Sequence, residues 1–167
     1  MSLHTGLLAL TFAAALGCGV VAGAFFAFST FVMKALGRIP AVQGIAAMQS
    51  INVAVITPSF MAALFGTGVV CLILAASALP TWPAPGAVYL FAGSLLYIIG
   101  TVLVTIVFNV PRNNALASVD PASADGAALW AGYLKSWTAW NHVRTAAALV
   151  AAASLTMALF LSPTEGS

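Results

Sequence analysis

The feature that most constrains the fold is a run from Leu7 to Met33 that contains no charged side chain. About 20 apolar residues suffice to cross the hydrocarbon core of a bilayer, so this run is long enough. It is too long for the apolar region of a cleaved signal peptide, and no Lys or Arg precedes it. Three further apolar stretches follow, at about 58–78, 87–108 and 141–161. The sequence therefore predicts an all-α, integral membrane four-helix bundle, with residues 1–167 as its single domain.

The scarcity of charge identifies the solvent of this chain. Only 5% of the residues are charged and 62% are hydrophobic, whereas a soluble domain carries roughly 25% charged residues. A chain of this kind cannot cover its surface with groups that water solvates, so membrane lipid is the expected surrounding. The net charge of +2 gives no reason to expect nucleic acid as a partner.

Short interfacial helices are expected on one side of the bundle. Residues 41–52 place Ile45, Met48 and Ile51 near helical spacing, and Gln49 and Asn52 would share a face of that helix. Thr57 then has the character of an N-cap residue, with a proline at the first helical position of the second transmembrane helix.

The third and fourth helices are expected to be separated by a break and a surface segment. Pro111 lacks a backbone donor, so the third helix is predicted to break at Asn109–Asn114. An amphipathic face follows within 126–140, formed by Trp130, Tyr133, Leu134 and Trp137. This segment should lie on the membrane and lead into a fourth helix that begins at about Asn141.

The basic residues assign the two faces of the bundle. We call side A the face with the N-terminus, the turn at 79–86 and the C-terminus, and side B the face with the connections at 34–57 and 109–141. All five basic residues fall on side B: Lys34, Arg38, Arg112, Lys135 and Arg144. By the positive-inside rule, side B is expected to be cytoplasmic in a bacterial-type inner (plasma) membrane, with both termini outside.

Side B also collects the hydrogen-bonding side chains, so the site is expected there. Arg144 would stabilise an anion or phenolate, and a neutral His142 would be a competent general base near pH 7. The two are about 200° apart on an ideal helix, so they would flank one small pocket only if the first turn were irregular or the substrate wrapped the helix end. Otherwise His142 would reach the site from the loop side or through water. The predicted substrate-binding residues are Gln49, Asn52, Asn109, Arg112, Asn113, Trp137, Trp140 and Asn141.

Simpler interpretations of these residues stay open. Arg144 would also suit a topogenic or headgroup-binding role, and His142 that of an interfacial histidine with a satisfied hydrogen bond. A polar stripe on the third helix would either bond to the backbone of neighbouring helices or line a cavity. Its members are Tyr97, Thr101, Thr105 and Asn109.

The residue types that are missing narrow the chemistry. The three acidic residues all lie outside the predicted helices, which argues against an intramembrane proton carrier and against a carboxylate-bridged metal pair. His4 and His142 lie on opposite sides, so no metal site is predicted. No motif implies a cofactor, and both haem and metal are left open.

The residues on side B resemble the anthrone oxygenase-like integral membrane family. The resemblance rests on Asn109-Val-Pro-Arg-Asn113 with Leu116, on Trp130, Tyr133 and Trp137, and on Trp140-Asn-His-Val-Arg-Thr145. Many bacterial members have no known function. Members linked to aromatic polyketide pathways are implied to oxidise anthrones to anthraquinones with dioxygen.

Three functions of different classes follow from the residues and the resemblance. The first is a membrane-embedded oxygenase that acts with dioxygen on a small, hydrophobic, phenolic (anthrone-like) substrate. The second is a quinone-, haem- or lipid-binding accessory membrane subunit without catalysis of its own. A small oligomeric transporter is the third, and the lack of intramembrane charge disfavours it. Small-residue helix faces, such as Ala15, Gly19 and Gly23, would suit a homo-oligomer.

Overall fold

A computed structural model describes residues 3–162, and these form an all-α structure. Four of its helices are long and apolar enough to cross a membrane: His4–Leu36, Pro58–Thr81, Pro85–Ala117 and Ala124–Phe160. We call them the first to fourth spans, and we call Ala41–Ala54 the connecting helix. The described part of the chain contains no strand, so the predicted fold class is confirmed. The chain is a multi-pass membrane protein.

Several π-helical turns interrupt the first three spans. They occupy Phe28–Val32, Ala62–Gly66, Ile98–Leu103 and Thr105–Asn109. All lie in the middle of their span or in its half nearer to side B. Turns of this kind are rare and frequently occur at functional sites, because the wider turn changes the direction of the side chains around it.

The predicted break of the third span at Asn109–Asn114 is wrong, because the helix continues through Pro111 to Ala117. The carbonyl with which the Pro111 ring would clash belongs to Val107, which lies in the π-helical turn Thr105–Asn109, where the wider turn gives the ring room. Arg112 Nη1 donates to the Phe108 carbonyl oxygen at 2.6 Å, within the region that the proline distorts. The irregular turn thus absorbs the proline.

The fourth span is also longer than predicted, because the segment 126–140 and the helix after it form one helix, Ala124–Phe160. Ser123 caps its start, with its Oγ accepting from the Gly126 N–H at 2.9 Å. No proline or glycine follows Gly132 within this helix, and the buried positions continue at spacings of three and four residues. Arg144 therefore lies in mid-helix rather than in a first turn.

Small residues allow the spans to approach closely. A Cβ added to Gly100 of the third span would lie 2.5 Å from Ala147 of the fourth, and one added to Gly93 would lie 2.9 Å from Ser154. By contrast, Gly19 and Gly23 point away from the bundle, with no neighbouring atom within 4 Å of such a Cβ. Ala15 of the same stripe packs against the core, so only its two glycines are without a neighbour among the described residues. A homo-oligomer through them stays a prediction.

The connecting helix is held against the side-B ends of the third and fourth spans. Ile45 and Met48 pack with Leu116 and with the aromatic side chains of the fourth span, which are Trp130, Tyr133 and Trp137. Gln49 Nε2 donates to the carbonyl oxygens of Leu116 and Val119, at 2.8 and 3.0 Å. The predicted N-cap after this helix is confirmed, because Thr57 Oγ1 accepts from the Phe60 N–H at 3.2 Å.

Candidate functional site

A cavity of about 420 Å³ lies on side B between the connecting helix and the first three spans, and it reaches the fourth span. Its walls are mainly apolar and aromatic: Phe25 and Phe28 come from the first span, Phe60 from the second, and Trp137 from the fourth. Ligand sites of this size typically combine such walls with a few polar groups in fixed places. The polar lining residues are Gln49, Asn52, Thr105, Asn113, Asn114 and Arg144.

Arg144 is the charged residue among those that line the cavity, and only 4% of it is exposed. Its Nη2 donates to Asn141 Oδ1 at 2.6 Å, and its Nη1 donates to Thr105 Oγ1 at 3.2 Å. Its Nε is buried and has no hydrogen-bond partner. The guanidinium is therefore held in place by two bonds, while its Nε–H has no partner.

The charge of Arg144 has no carboxylate beside it. In residues 3–162 the acidic side chains are Asp120 and Asp125, and both are on the surface. Two aromatic rings stabilise the charge through cation–π interactions. The guanidinium carbon lies 4.0 Å from the ring centre of Phe25 and 5.1 Å from that of Trp137. A buried cation of this kind is costly, so the site is suited to receive an anion.

Asn141 is the residue that positions Arg144. It is fully buried, and its Nδ2 donates to the Phe25 carbonyl oxygen and to Ser29 Oγ, both at 2.7 Å. Its Oδ1 is then left to accept from Arg144. Because Asn141 thereby joins the first span to the guanidinium, the direction in which Arg144 points depends on this one amide.

Two further amides present donors near the cavity. Asn113 Oδ1 accepts from Tyr133 Oη at 2.9 Å and from Trp137 Nε1 at 2.7 Å. Since an indole N–H can only donate, these bonds identify the oxygen of the amide and leave its Nδ2 for other partners. Asn52 Nδ2 is buried without a partner. Together with Arg144 Nε, these groups favour a ligand that accepts hydrogen bonds.

The predicted site residues divide into three groups: those that line the cavity, His142, and those that support the site from outside the cavity. The cavity is lined by Gln49, Asn52, Asn113, Trp137 and Arg144. His142 is exposed on the opposite side of the fourth span, because it is two residues from Arg144 in a regular helix. The helix does not begin there, so no loop brings the imidazole back. The structure therefore does not place the predicted base with the predicted anion stabiliser.

The other predicted residues support the site from outside the cavity. Asn109 is buried and its Nδ2 donates to the Trp137 carbonyl oxygen at 3.3 Å. Arg112 Nε donates to Ser136 Oγ at 3.1 Å, which fastens the third span to the fourth. The indole of Trp140 stacks on Phe108, with ring centres 3.6 Å apart. Neither these three nor Asn141 lines the cavity.

Residues outside the predicted set complete the surroundings of Arg144. Phe25 lies against its guanidinium, and Ser29 supports Asn141 from the first span. Thr105 belongs to the polar stripe of the third span, where cavity lining had stayed open; it does line the cavity. Its hydroxyl donates to the Thr101 carbonyl oxygen at 2.7 Å, so its oxygen is free to accept from Arg144.

The remainder of that stripe bonds to backbone. Tyr97 Oη donates to the Leu64 carbonyl oxygen at 3.1 Å, and Thr101 Oγ1 donates to that of Arg144 at 3.5 Å. The polar stripe of the third span therefore does both things that the sequence left open: Thr105 lines the cavity, whereas Tyr97 and Thr101 bond to the backbone of neighbouring spans. Within residues 3–162, no group of three or more His, Cys, Asp or Glu side chains is placed to hold a metal ion.

Comparison with known proteins adds one finding to this geometry. A family model described as anthrone oxygenase matches residues 58–154, which include the second and third spans and most of the fourth. Thr105, Asn113, Trp137, Asn141 and Arg144 all fall within the matched region. No curated protein and no solved structure gives a significant match.

Proposed function

Because the chain belongs to the anthrone oxygenase family, we propose that it is a membrane-embedded oxygenase that acts with dioxygen on a lipid-soluble, phenolic, anthrone-like substrate. One observation carries this proposal: the buried cation of Arg144, with an unpaired Nε, at the wall of an aromatic cavity. A flat aromatic body would lie against the walls that Phe25, Phe28 and Trp137 contribute to the cavity. An ionised oxygen on that body would meet Arg144.

Oxidation of an anthrone by dioxygen requires stabilisation of the substrate anion more than it requires a strongly basic side chain. A phenolic anthrone is acidic at its CH₂ carbon, and loss of that proton places negative charge on the conjugated oxygen. Preorganised donors aimed at such a charge are often the largest single contribution to catalysis. Arg144 Nε and the amide of Asn52 are the buried donors without a partner beside the cavity. They would stabilise the anion in a site whose walls are mainly apolar and aromatic.

The overall reaction balances with dioxygen as the oxidant. The substrate anion gives up electrons to dioxygen, and a new C–O bond forms at the former CH₂ carbon. One oxygen atom stays there as the quinone carbonyl, and the other leaves as water with the two hydrogens of the CH₂ group. The residues described here would bind the substrate, orient its oxygen and hold the negative charge. The described residues that line the cavity include no His, Asp, Glu or Lys, so the proton is expected to leave to water.

Oxygen uptake by the purified protein in liposomes, with a dihydroxyanthrone as substrate, tests this function. We expect the protein to accelerate both oxygen uptake and anthraquinone formation over protein-free liposomes. The variant His142→Ala should retain wild-type turnover, because His142 is exposed outside the cavity. A folded His142→Ala protein that loses about 10²–10⁴-fold in rate would instead identify the imidazole as the base. No acceleration by the wild-type protein would contradict the proposed function.

A second candidate is an accessory subunit that binds a quinone or a lipid and has no catalysis of its own. The observation that favours it is the lack of a proton-accepting side chain among the described residues of the cavity wall. The same experiment separates the two functions. Tight binding of a hydroxyanthraquinone without any oxygen uptake from an anthrone would favour the accessory role.

We propose that side B, with the cavity, is cytoplasmic in a bacterial-type inner membrane. The support is the location of all five basic residues on that side. Single cysteines at Ala84 and at Ala115, in a protein lacking Cys18 and Cys71, report the orientation. An impermeant thiol reagent should label position 84 but not position 115 in intact cells. Labelling of position 115 alone would reverse the assignment.

A further inference from the structure

The cavity opens sideways, between the second and third spans. These spans pack closely near the turn on side A, whereas few contacts join Pro58–Gly66 to Thr105–Ala117. Phe65 of the second span and Val110 of the third both line the cavity, and each is 40% exposed. The gap between the two spans is therefore also the mouth of the cavity.

The mouth reaches the depth of the lipid tails. Phe65 lies seven residues from the side-B end of the second span at Pro58, which is about 10 Å at about 1.5 Å per residue. Val110 lies nearer to side B, because Gly68 of the second span lies against Val102 of the third and Val110 is eight residues further along. Half of the hydrocarbon core measures about 15 Å. With Pro58 near the membrane surface, the mouth extends from that surface to the acyl chains at the depth of Phe65.

The rim is mainly apolar and continues to the side-B end of the bundle, where Asn114 is its exposed polar residue. Val53 and Ile56, from the connection between the first two spans, also line the cavity and are 75% and 70% exposed. Together with Phe65 and Val110 they form an apolar rim, which is stable in contact with lipid and costly in contact with water. The guanidinium of Arg144 lies at the inner end, where it is buried.

We propose that the substrate reaches Arg144 directly from the bilayer through this mouth, and that Phe65 and Val110 select flat molecules dissolved in the hydrocarbon. The identity of the occupant rests on the proposed function, whereas the route rests on the geometry alone. An acyl chain would fill the apolar part of the cavity but would leave Arg144 Nε without an acceptor. A flat molecule with an ionisable oxygen satisfies both ends.

A narrowed mouth tests the route through binding kinetics. In Val110→Trp, the indole should obstruct the gap, so association and dissociation of dihydroxyanthraquinone in liposomes both slow by about tenfold or more, while Kd changes much less. The matched control is Val107→Trp, since Val107 is exposed on the same span and does not line the cavity. Phe65→Ala should widen the mouth and accelerate both rates.

A second probe separates the bilayer route from an aqueous one. A sulfonated hydroxyanthraquinone stays out of the hydrocarbon, so we expect it to associate far more slowly than the parent compound. Equal association rates for the two probes would overturn the lateral route. Equal association rates for Val110→Trp and Val107→Trp would overturn it too, as would a wild-type protein that binds neither probe. If Val110→Trp slows association of the probe but the wild-type protein consumes no oxygen, the lateral route stands and the proposed oxygenase function is rejected.

Discussion

Replacement of Arg144 by methionine is expected to lower anthrone turnover by about 10²–10³-fold, the usual effect of removing a donor that stabilises an oxyanion. The fold should survive, because two effects on stability oppose one another. Removal of a buried cation that has no carboxylate partner is neutral or stabilising. Asn141 Oδ1 loses its donor, which costs about 1–3 kcal/mol. Oxygen uptake and thermal unfolding in detergent measure the two quantities separately.

Arg112→Met is the matched control, because it removes the same side chain from a site outside the cavity. Arg112 bonds to the Phe108 carbonyl oxygen and to Ser136 Oγ. We therefore expect the free energy of unfolding to fall by about 1–3 kcal/mol while most of the turnover remains. The opposite pattern, with activity lost in Arg112→Met and kept in Arg144→Met, would transfer the anion site to Arg112.

Replacement of Asn141 by leucine is expected to have the largest effect on stability, about 3–5 kcal/mol, because it leaves a buried charge without its best partner. The Phe25 carbonyl oxygen and Ser29 Oγ would also lose the donor that they share. Thermal unfolding checks this value. Ser29→Ala is the control, since it removes only one partner of the same amide and should cost about 1 kcal/mol.

A second substitution at the same position separates positioning from packing. Asn141→Asp keeps an acceptor for Arg144 and adds a negative charge beside the guanidinium. We expect this protein to be more stable than Asn141→Leu, yet to bind the dihydroxyanthraquinone anion at least about tenfold more weakly, which corresponds to 1.4 kcal/mol. Wild-type affinity for that anion in Asn141→Asp, or wild-type stability in Asn141→Leu, would contradict the assigned role.

The four-span architecture could be predicted because it depends on properties that are local in the sequence. Long apolar runs and a scarcity of charge determine the solvent and the number of helices. The helix ends are less local. Pro111 normally disfavours a helix, yet the π-helical turn Thr105–Asn109 lets the third span continue to Ala117. The buried face continues without interruption through Trp137 and Asn141 in one long fourth helix, whereas the density of polar groups there led to the prediction of a helix start at Asn141.

The candidate site was predictable in part. Residues of one helix have fixed relative angles, so the sequence already predicts that Arg144 and His142 point in different directions. The aromatic and polar partners of Arg144 come from the first and third spans, at Phe25 and Thr105. Their distance from Arg144 depends on how the spans pack against one another and how each is rotated about its axis. The spacing of residues within one helix does not determine either property. For the same reason, the lateral mouth became visible only in the folded structure.

The ionisation of a bound phenolic probe tests most directly the claim that Arg144 holds an anion in the cavity. Dihydroxyanthraquinone changes its visible absorption when it loses a proton, so a pH titration in liposomes reports its charge. With the wild-type protein, the bound probe should ionise at a pH lower by about one unit or more than in protein-free liposomes, since about 1.4 kcal/mol of preference for the anion has that effect. In Arg144→Met, the bound probe should ionise as in protein-free liposomes or at higher pH. A probe that binds the wild-type protein but ionises as in empty liposomes, or ionises equally early in Arg144→Met, would contradict the account.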